Sequence, residues 1–112
     1  MINITIIKSK QNIITIEATG HSGYGETGTD IVCSAVSTLT ENLINSLIEI
    51  VKVEPNFVID EEIPHLRVSL NENLDKNLMK DCQILMRSTV LGLKNVANGY
   101  SKFIKIKEKQ HD

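Results

Sequence analysis

His21 and Cys33 stand twelve residues apart across a glycine-rich stretch, Gly20-His21-Ser22-Gly23-Tyr24-Gly25-Glu26-Thr27-Gly28-Thr29-Asp30, and Cys33 falls where an apolar helix begins. A thiol attacks as thiolate, and a helix N-terminus and a neighbouring imidazole both favour that form. With Asp30, or Thr29 one residue earlier, as N-cap, Cys33 is an early helical residue among N–H groups that lack an intrahelical partner. The helix dipole contributes only about 0.3–1 kcal/mol, less than one pKa unit, so a base such as His21 has to supply the rest. The pattern therefore predicts a cysteine nucleophile with a depressed pKa and a histidine base. Asp30 has two assignments open to it, N-cap or orienter of His21.

Periodicity separates the two cysteines. Cys33 lies one residue, roughly 100°, around the helix from apolar Val32, with Ser37 and Thr40 stacked below it, so its thiol points toward loop or cleft rather than core. The competing reading is a small buried hydrophobe, a common fate of free cysteine. Cys82 continues a Leu78 to Leu85 stripe and reads as core. His65, after Pro64, and His111, in the tail, are weaker candidates than His21. No cluster of three or four His, Cys or carboxylate side chains suggests a metal site. Gly23-Tyr24-Gly25-Glu26-Thr27-Gly28 matches the dinucleotide fingerprint G-x-G-x-x-G, but the ribose-binding acid expected about 20 residues on falls inside a helix, and Glu26 and Asp30 repel a pyrophosphate. The glycines read as hinges, and no cofactor is implied.

The elements that must position these residues follow from the hydrophobic pattern. Ile2 to Lys8 and Ile13 to Ala18 alternate as a hairpin around Ser9-Lys10-Gln11-Asn12. From Ile31, the residues Val32, Val36, Leu39, Leu43, Leu47 and Ile50 recur at helical spacing until Glu54-Pro55-Asn56. Phe57 to Glu61 and His65 to Leu70 read as two short strands. A second helix spans about Asn73 to Ala97 on a stripe of Leu74, Leu78, Cys82, Leu85, Leu93 and Val96, with Gly99 expected as a left-handed C-cap. Ser101 to Lys107 is the last strand, and Lys107 to Asp112 is expected to fray. The order ββαββαβ implies one compact α+β domain, residues 1–112, with a mixed or largely antiparallel sheet packed against two long helices.

Bulk properties restrict the function. At 112 residues, 41% apolar and 23% charged, the chain can build one real core. A net charge of −2 gives no footprint for neutralising duplex phosphates, so no direct nucleic-acid partner is expected. Met1 to Ile7 reads as a strand rather than a secretory leader, and no run of about 18 apolar residues is expected to span a membrane. Two cysteines in helical segments argue against a disulfide framework and for a cytoplasmic location.

Gly20-His21 and Asp30-Ile31-Val32-Cys33, followed by Ala35 and Ser37, resemble the bacterial ribosomal-processing cysteine protease family over the whole chain. The resemblance implies a protease that trims a short N-terminal extension from a ribosomal protein precursor, large-subunit ribosomal protein twenty-seven, and acts as a homodimer. It implies Cys33 as nucleophile, His21 as general base, and Gly20, Asp30 and Ser37 as supporting residues. It also implies a mobile substrate-gating loop comprising Ser22, Gly23, Tyr24, Gly25, Glu26, Thr27, Gly28 and Thr29. Ser22 and Ser34 depart from the alanines expected there. Acyl transfer would need an oxyanion site, for which N–H groups at the helix start, including that of Cys33, are expected donors. The alternatives are a non-catalytic ribosome-associated binding module and a thiol redox sensor, although the latter lacks a C-x-x-C pair.

Overall fold

A computed structural model describes residues 1–23, 25 and 30–111. Its elements are β1 (Ile2–Ser9), β2 (Asn12–Thr19), α1 (Ile31–Ser46) continued by a π-helical turn (Leu47–Val51), β3 (Asn56–Asp60), β4 (His65–Ser69), α2 (Lys76–Gly99) and β5 (Ile104–His111). The expected ββαββαβ order is present. The five strands form one sheet in the order β3-β4-β2-β1-β5, antiparallel except for the parallel pair β1 and β5.

Alternation decides which face is buried. Ile4 pairs with Ala18, Ile6 with Ile16, Ile16 with Val68 and Ile2 with Ile104, so these residues share one face of the pleat. They form a single core with Val32, Val36 and Leu43 of α1 and Met79, Cys82, Met86 and Leu93 of α2. The opposite face carries Asn3, Thr5, Glu17 and Arg67 at the alternate positions. A register shift between Ile7 and Lys8 interrupts the first hairpin, and Gln83 of α2 clips its backbone. The Gln83 side chain accepts from the Ile13 N–H at 2.7 Å and donates to the Ile13 carbonyl at 2.8 Å.

Several sequence expectations need correction. β5 extends to His111 rather than fraying after Lys107, because it pairs with β1 along eight residues. α2 begins at Lys76, capped by Asp75, whose side chain accepts from Asn77 and Leu78 N–H. Leu78 is therefore in the first turn and exposed, while Met79, Gln83 and Met86 join Cys82 on the buried face. Gly99 lies within α2, and the helix ends through Tyr100, whose N–H donates to the Val96 carbonyl. A left-handed C-cap stands instead at Lys52 (φ +66°), which closes the π-helical turn after α1. By length and composition Ile31–Val51 is apolar enough to cross a bilayer. Its Val32, Val36, Leu43 and Leu47 are buried in the core while Glu41 and Glu49 face outward, the pattern of an amphipathic core helix.

Candidate active site

Three junctions of the fold meet at one end of the sheet. Gly20 closes β2 with φ +89°, and a Cβ there would sit 2.5 Å from the Met1 carbonyl oxygen, so only glycine fits. Its N–H donates to the Pro64 carbonyl at 3.1 Å, tying the start of the loop to the turn between β3 and β4. His21 follows and is exposed. Gly23 has φ +77°. Tyr24, Glu26, Thr27, Gly28 and Thr29 lie outside the described residues, so of the expected gating loop only Ser22, Gly23 and Gly25 are described.

Asp30, only 6% exposed, organises the start of α1. Its Oδ1 accepts from the N–H groups of Val32 and Cys33, each at 3.0 Å. Its Oδ2 accepts from the Ser22 hydroxyl and from the Cys33 thiol, the latter at 3.2 Å. The Ser22 N–H in turn points at Cys33 Sγ, 3.5 Å away. Of the two assignments open to Asp30, the carboxylate takes the N-cap. The Cys33 N–H, expected as an oxyanion donor, is already engaged by that cap. Ser22, a departure from the family pattern, is an integral partner of the cap, whereas Ser34 is exposed.

These contacts reverse the expected thiol chemistry. Burial pushes the Asp30 carboxyl up, but the Ser22 hydroxyl, the Cys33 N–H and thiol, and the Val32 N–H outweigh it and hold the group below the ordinary carboxylate range. Burial pushes the Cys33 thiol up, the Ser22 N–H pulls it down, and the Asp30 carboxylate pushes it up again, for a net rise. The predicted depression of the Cys33 pKa is thus overturned in this conformation. The helix terminus that favours a thiolate is neutralised by a carboxylate that also holds the thiol proton. Cys82 is raised as well, by burial and then by the charge of Asp81, and is fully buried as expected.

Cys33 opens into a cavity of about 330 Å³ that also takes in Gly20, His21 and Ser37. Four of the residues singled out from sequence therefore converge there, and Asp30 supports them from beneath. Among the described residues no hydrogen bond joins His21 to Asp30 or Cys33. The cavity continues along α1 to Glu41, two turns beyond Cys33. Its apolar surface comes from Ile2, Ala18, Val36, Ile59 and Leu66, and its far wall from Asp60, Glu61 and Pro64 at the β3–β4 turn. No lysine or arginine lines it among the described residues. Sequence reasoning missed this far wall and Glu41. The i+4 ladder Cys33, Ser37, Glu41 was a usable signal for Glu41. The wall depends on pairing between β2 and β4, which local pattern does not report. Asp60 shapes its turn by accepting from the N–H groups of Glu62 and Ile63 at 3.0 and 3.1 Å. His65, a weaker candidate from sequence, borders the cavity, with Nε2 2.6 Å from Glu17 Oε2.

Comparison with known proteins gives consistent matches. The family profile described as cysteine protease Prp matches residues 1–105. The ribosomal processing cysteine protease Prp of Bacillus subtilis (strain 168) is 27% identical over 107 residues, covering 95% of this chain and 96% of that protein. The crystal structure of SMU.848 from Streptococcus mutans superposes with a TM-score of 0.86 at 34% identity, covering 99% of this chain and 96% of that one. The essential ribosomal processing protease Prp from S. aureus, in complex with a covalently linked product peptide, superposes with a TM-score of 0.84 at 23% identity, covering 97% and 100%.

Proposed function

The chain belongs to the cysteine protease Prp family and is a cysteine protease of the ribosomal-processing kind, and on that premise we propose that it removes a short N-terminal extension from large-subunit ribosomal protein twenty-seven through a Cys33–His21 dyad. The observation that carries the reading is the shared cavity: nucleophile, candidate base and a peptide-sized cleft open onto one another. An extended chain rises about 3.3 Å per residue, so the two helical turns from Cys33 to Glu41, about 12 Å, accommodate three or four substrate residues. The carboxylates Glu41, Asp60 and Glu61 favour a basic chain, as expected of a protein that folds onto phosphates.

In the proposed cycle the resting thiol gives up its contact with Asp30. Substrate binding brings His21 to Cys33, and the imidazole takes the thiol proton. Sγ attacks the scissile carbonyl, the amine leaves with the proton from His21, and water activated by His21 releases the thioester. The Ser22 N–H, directed at Sγ, is the proposed donor to the oxyanion. Ser37 and Gly20 shape the cleft beside the reacting atoms, and the segment Ser22 to Thr29 gates it. The enzyme is proposed to act in the cytoplasm as a homodimer.

The test is to incubate the protein with a tagged precursor and weigh the products. Cleavage at one bond, lost in His21→Ala, supports the reading. Binding without cleavage returns the non-catalytic module, and peroxide-dependent sulfenylation without cleavage returns the thiol sensor.

A further inference from the structure

Charge is sharply segregated along this chain. Residues 1–75 hold eleven acidic and four basic side chains, whereas residues 76–112 hold three acidic and eight basic ones. The net charge of −2 averages over that division. Much of the basic share meets at β5, the edge strand farthest from β3.

The register of β5 on β1 sets Lys105, Lys107 and Lys109 beside Asn3, Thr5 and Ile7, on the face away from the core. All three lysines are exposed, and alternate strand positions put them about 6.6 Å apart. β1 places no carboxylate on that face. The next one inward, Glu17, is occupied by His65 at 2.6 Å and Arg67 at 3.8 Å. On the other face of the strand, Glu108 is shared by Lys8 at 3.6 Å and Lys94 at 3.7 Å. Those groups and Arg87 line a groove of about 220 Å³. Six cations thus gather along the β5 edge around Glu108, while Glu72 pairs with His111 at 3.5 Å at the end of the strand.

We propose that β5 and the α2 surface beside it form an RNA-docking face, which holds a phosphate backbone while the cavity beside Cys33 engages a peptide. The composition favours a polyphosphate over a protein. Protein interfaces are depleted in lysine and anchored by aromatic residues and arginine, whereas five of these six cations are lysines and no aromatic side chain stands among them. Lysine is a hydrated point charge suited to phosphates met without base specificity. The cavity reaches Ile2 of β1, on the core face of the sheet, whereas Lys105, Lys107 and Lys109 lie on the opposite face, so docked RNA leaves the cavity open. The choice of RNA over another phosphodiester rests on the ribosomal-precursor reading, but binding is measured without any cleavage.

The probe is a labelled single-stranded RNA of about 20 nucleotides and mixed sequence, titrated by fluorescence anisotropy from about 50 to 200 mM salt. Three to six phosphate contacts give a slope of log affinity on log salt of about −2 to −4. Lys105→Gln/Lys107→Gln/Lys109→Gln should lower that slope by about 2 units and weaken binding at the lowest salt at least tenfold. Cleavage of a short peptide substrate should be unchanged. Should that variant melt early, Arg87→Gln/Lys94→Gln tests the groove side and should lower the slope by about 1.4. No RNA binding at low salt, undiminished binding by the variants, or equal binding of a poly-glutamate peptide overturns the proposal. Undiminished binding would leave the lysines as guards against edge-to-edge strand pairing. If the wild type binds RNA as expected and cuts no precursor, the protease reading fails separately.

Discussion

Replacing Asp30 should make the protein less stable and its cysteine more reactive at the same time. Asp30→Ala removes the N-cap acceptor of Val32 and Cys33 N–H, which typically costs about 0.5–2 kcal/mol. It also removes the charged acceptor of the Ser22 hydroxyl, and hydrogen bonds to charged groups contribute about 1.5–3 kcal/mol. Relief from burying a carboxylate offsets part of this, leaving a loss of about 2–4 kcal/mol. For a domain of this length that is a fall in Tm of roughly 8–16 °C. Asp30→Asn retains an oxygen for the cap and should lose less than half as much. In both variants the negative charge 3.2 Å from Sγ is gone, so iodoacetamide should alkylate Cys33 faster than in wild type at neutral pH. The pH dependence has a definite sign. The folded Asp30 pKa lies below its unfolded value, so the stabilisation is complete above pH ~4 and disappears as pH falls through the folded pKa. The advantage of wild type over Asp30→Asn should therefore shrink as pH falls below about 4. Calorimetry and timed alkylation read both effects. An Asp30→Ala protein that melts within 2 °C of wild type, or alkylates more slowly, refutes the reasoning.

Gln83→Leu should cost about 2–4 kcal/mol, because it strips both partners from the buried Ile13 N–H and carbonyl. An unchanged denaturant midpoint would contradict this. Gly20→Ala should cost at least about 1–2 kcal/mol from the left-handed backbone alone, with the Met1 carbonyl contact added, and a wild-type Tm would be the contrary result. Cys82→Ser places a hydroxyl at a fully buried core position and should lower stability by about 1–3 kcal/mol while turnover persists at low temperature. Loss of turnover in a folded Cys82→Ser protein would assign that thiol a role denied to it here.

What the sequence made legible was whatever depends on local order. The different fates of Cys33 and Cys82 follow from helical period, the first hairpin from alternation, and the Asp30 cap from residue type and place. What escaped is made by contacts distant in sequence. The β3–β4 wall of the cavity exists because β4 pairs with β2, and Gln83 reaches Ile13 across seventy residues. The second half of β5 reads as a tail because Lys107, Glu108, Lys109 and Gln110 bury little, yet backbone pairing with β1 carries them. The sign of the Cys33 shift was missed for a related reason. Residue type and place show Asp30 as a cap, but not that its second oxygen faces the thiol.

The central claim is that Cys33 carries the acyl group during turnover. Wild-type enzyme quenched in acid while cleaving precursor should show by mass spectrometry an adduct equal to the N-terminal fragment less water, located on the peptide containing Cys33 and released by hydroxylamine. Cys33→Ser should bind the precursor, melt close to wild type, and neither cut it nor form the thioester. Cleavage at the wild-type rate by Cys33→Ser, or an adduct mapped to another residue, would contradict the account.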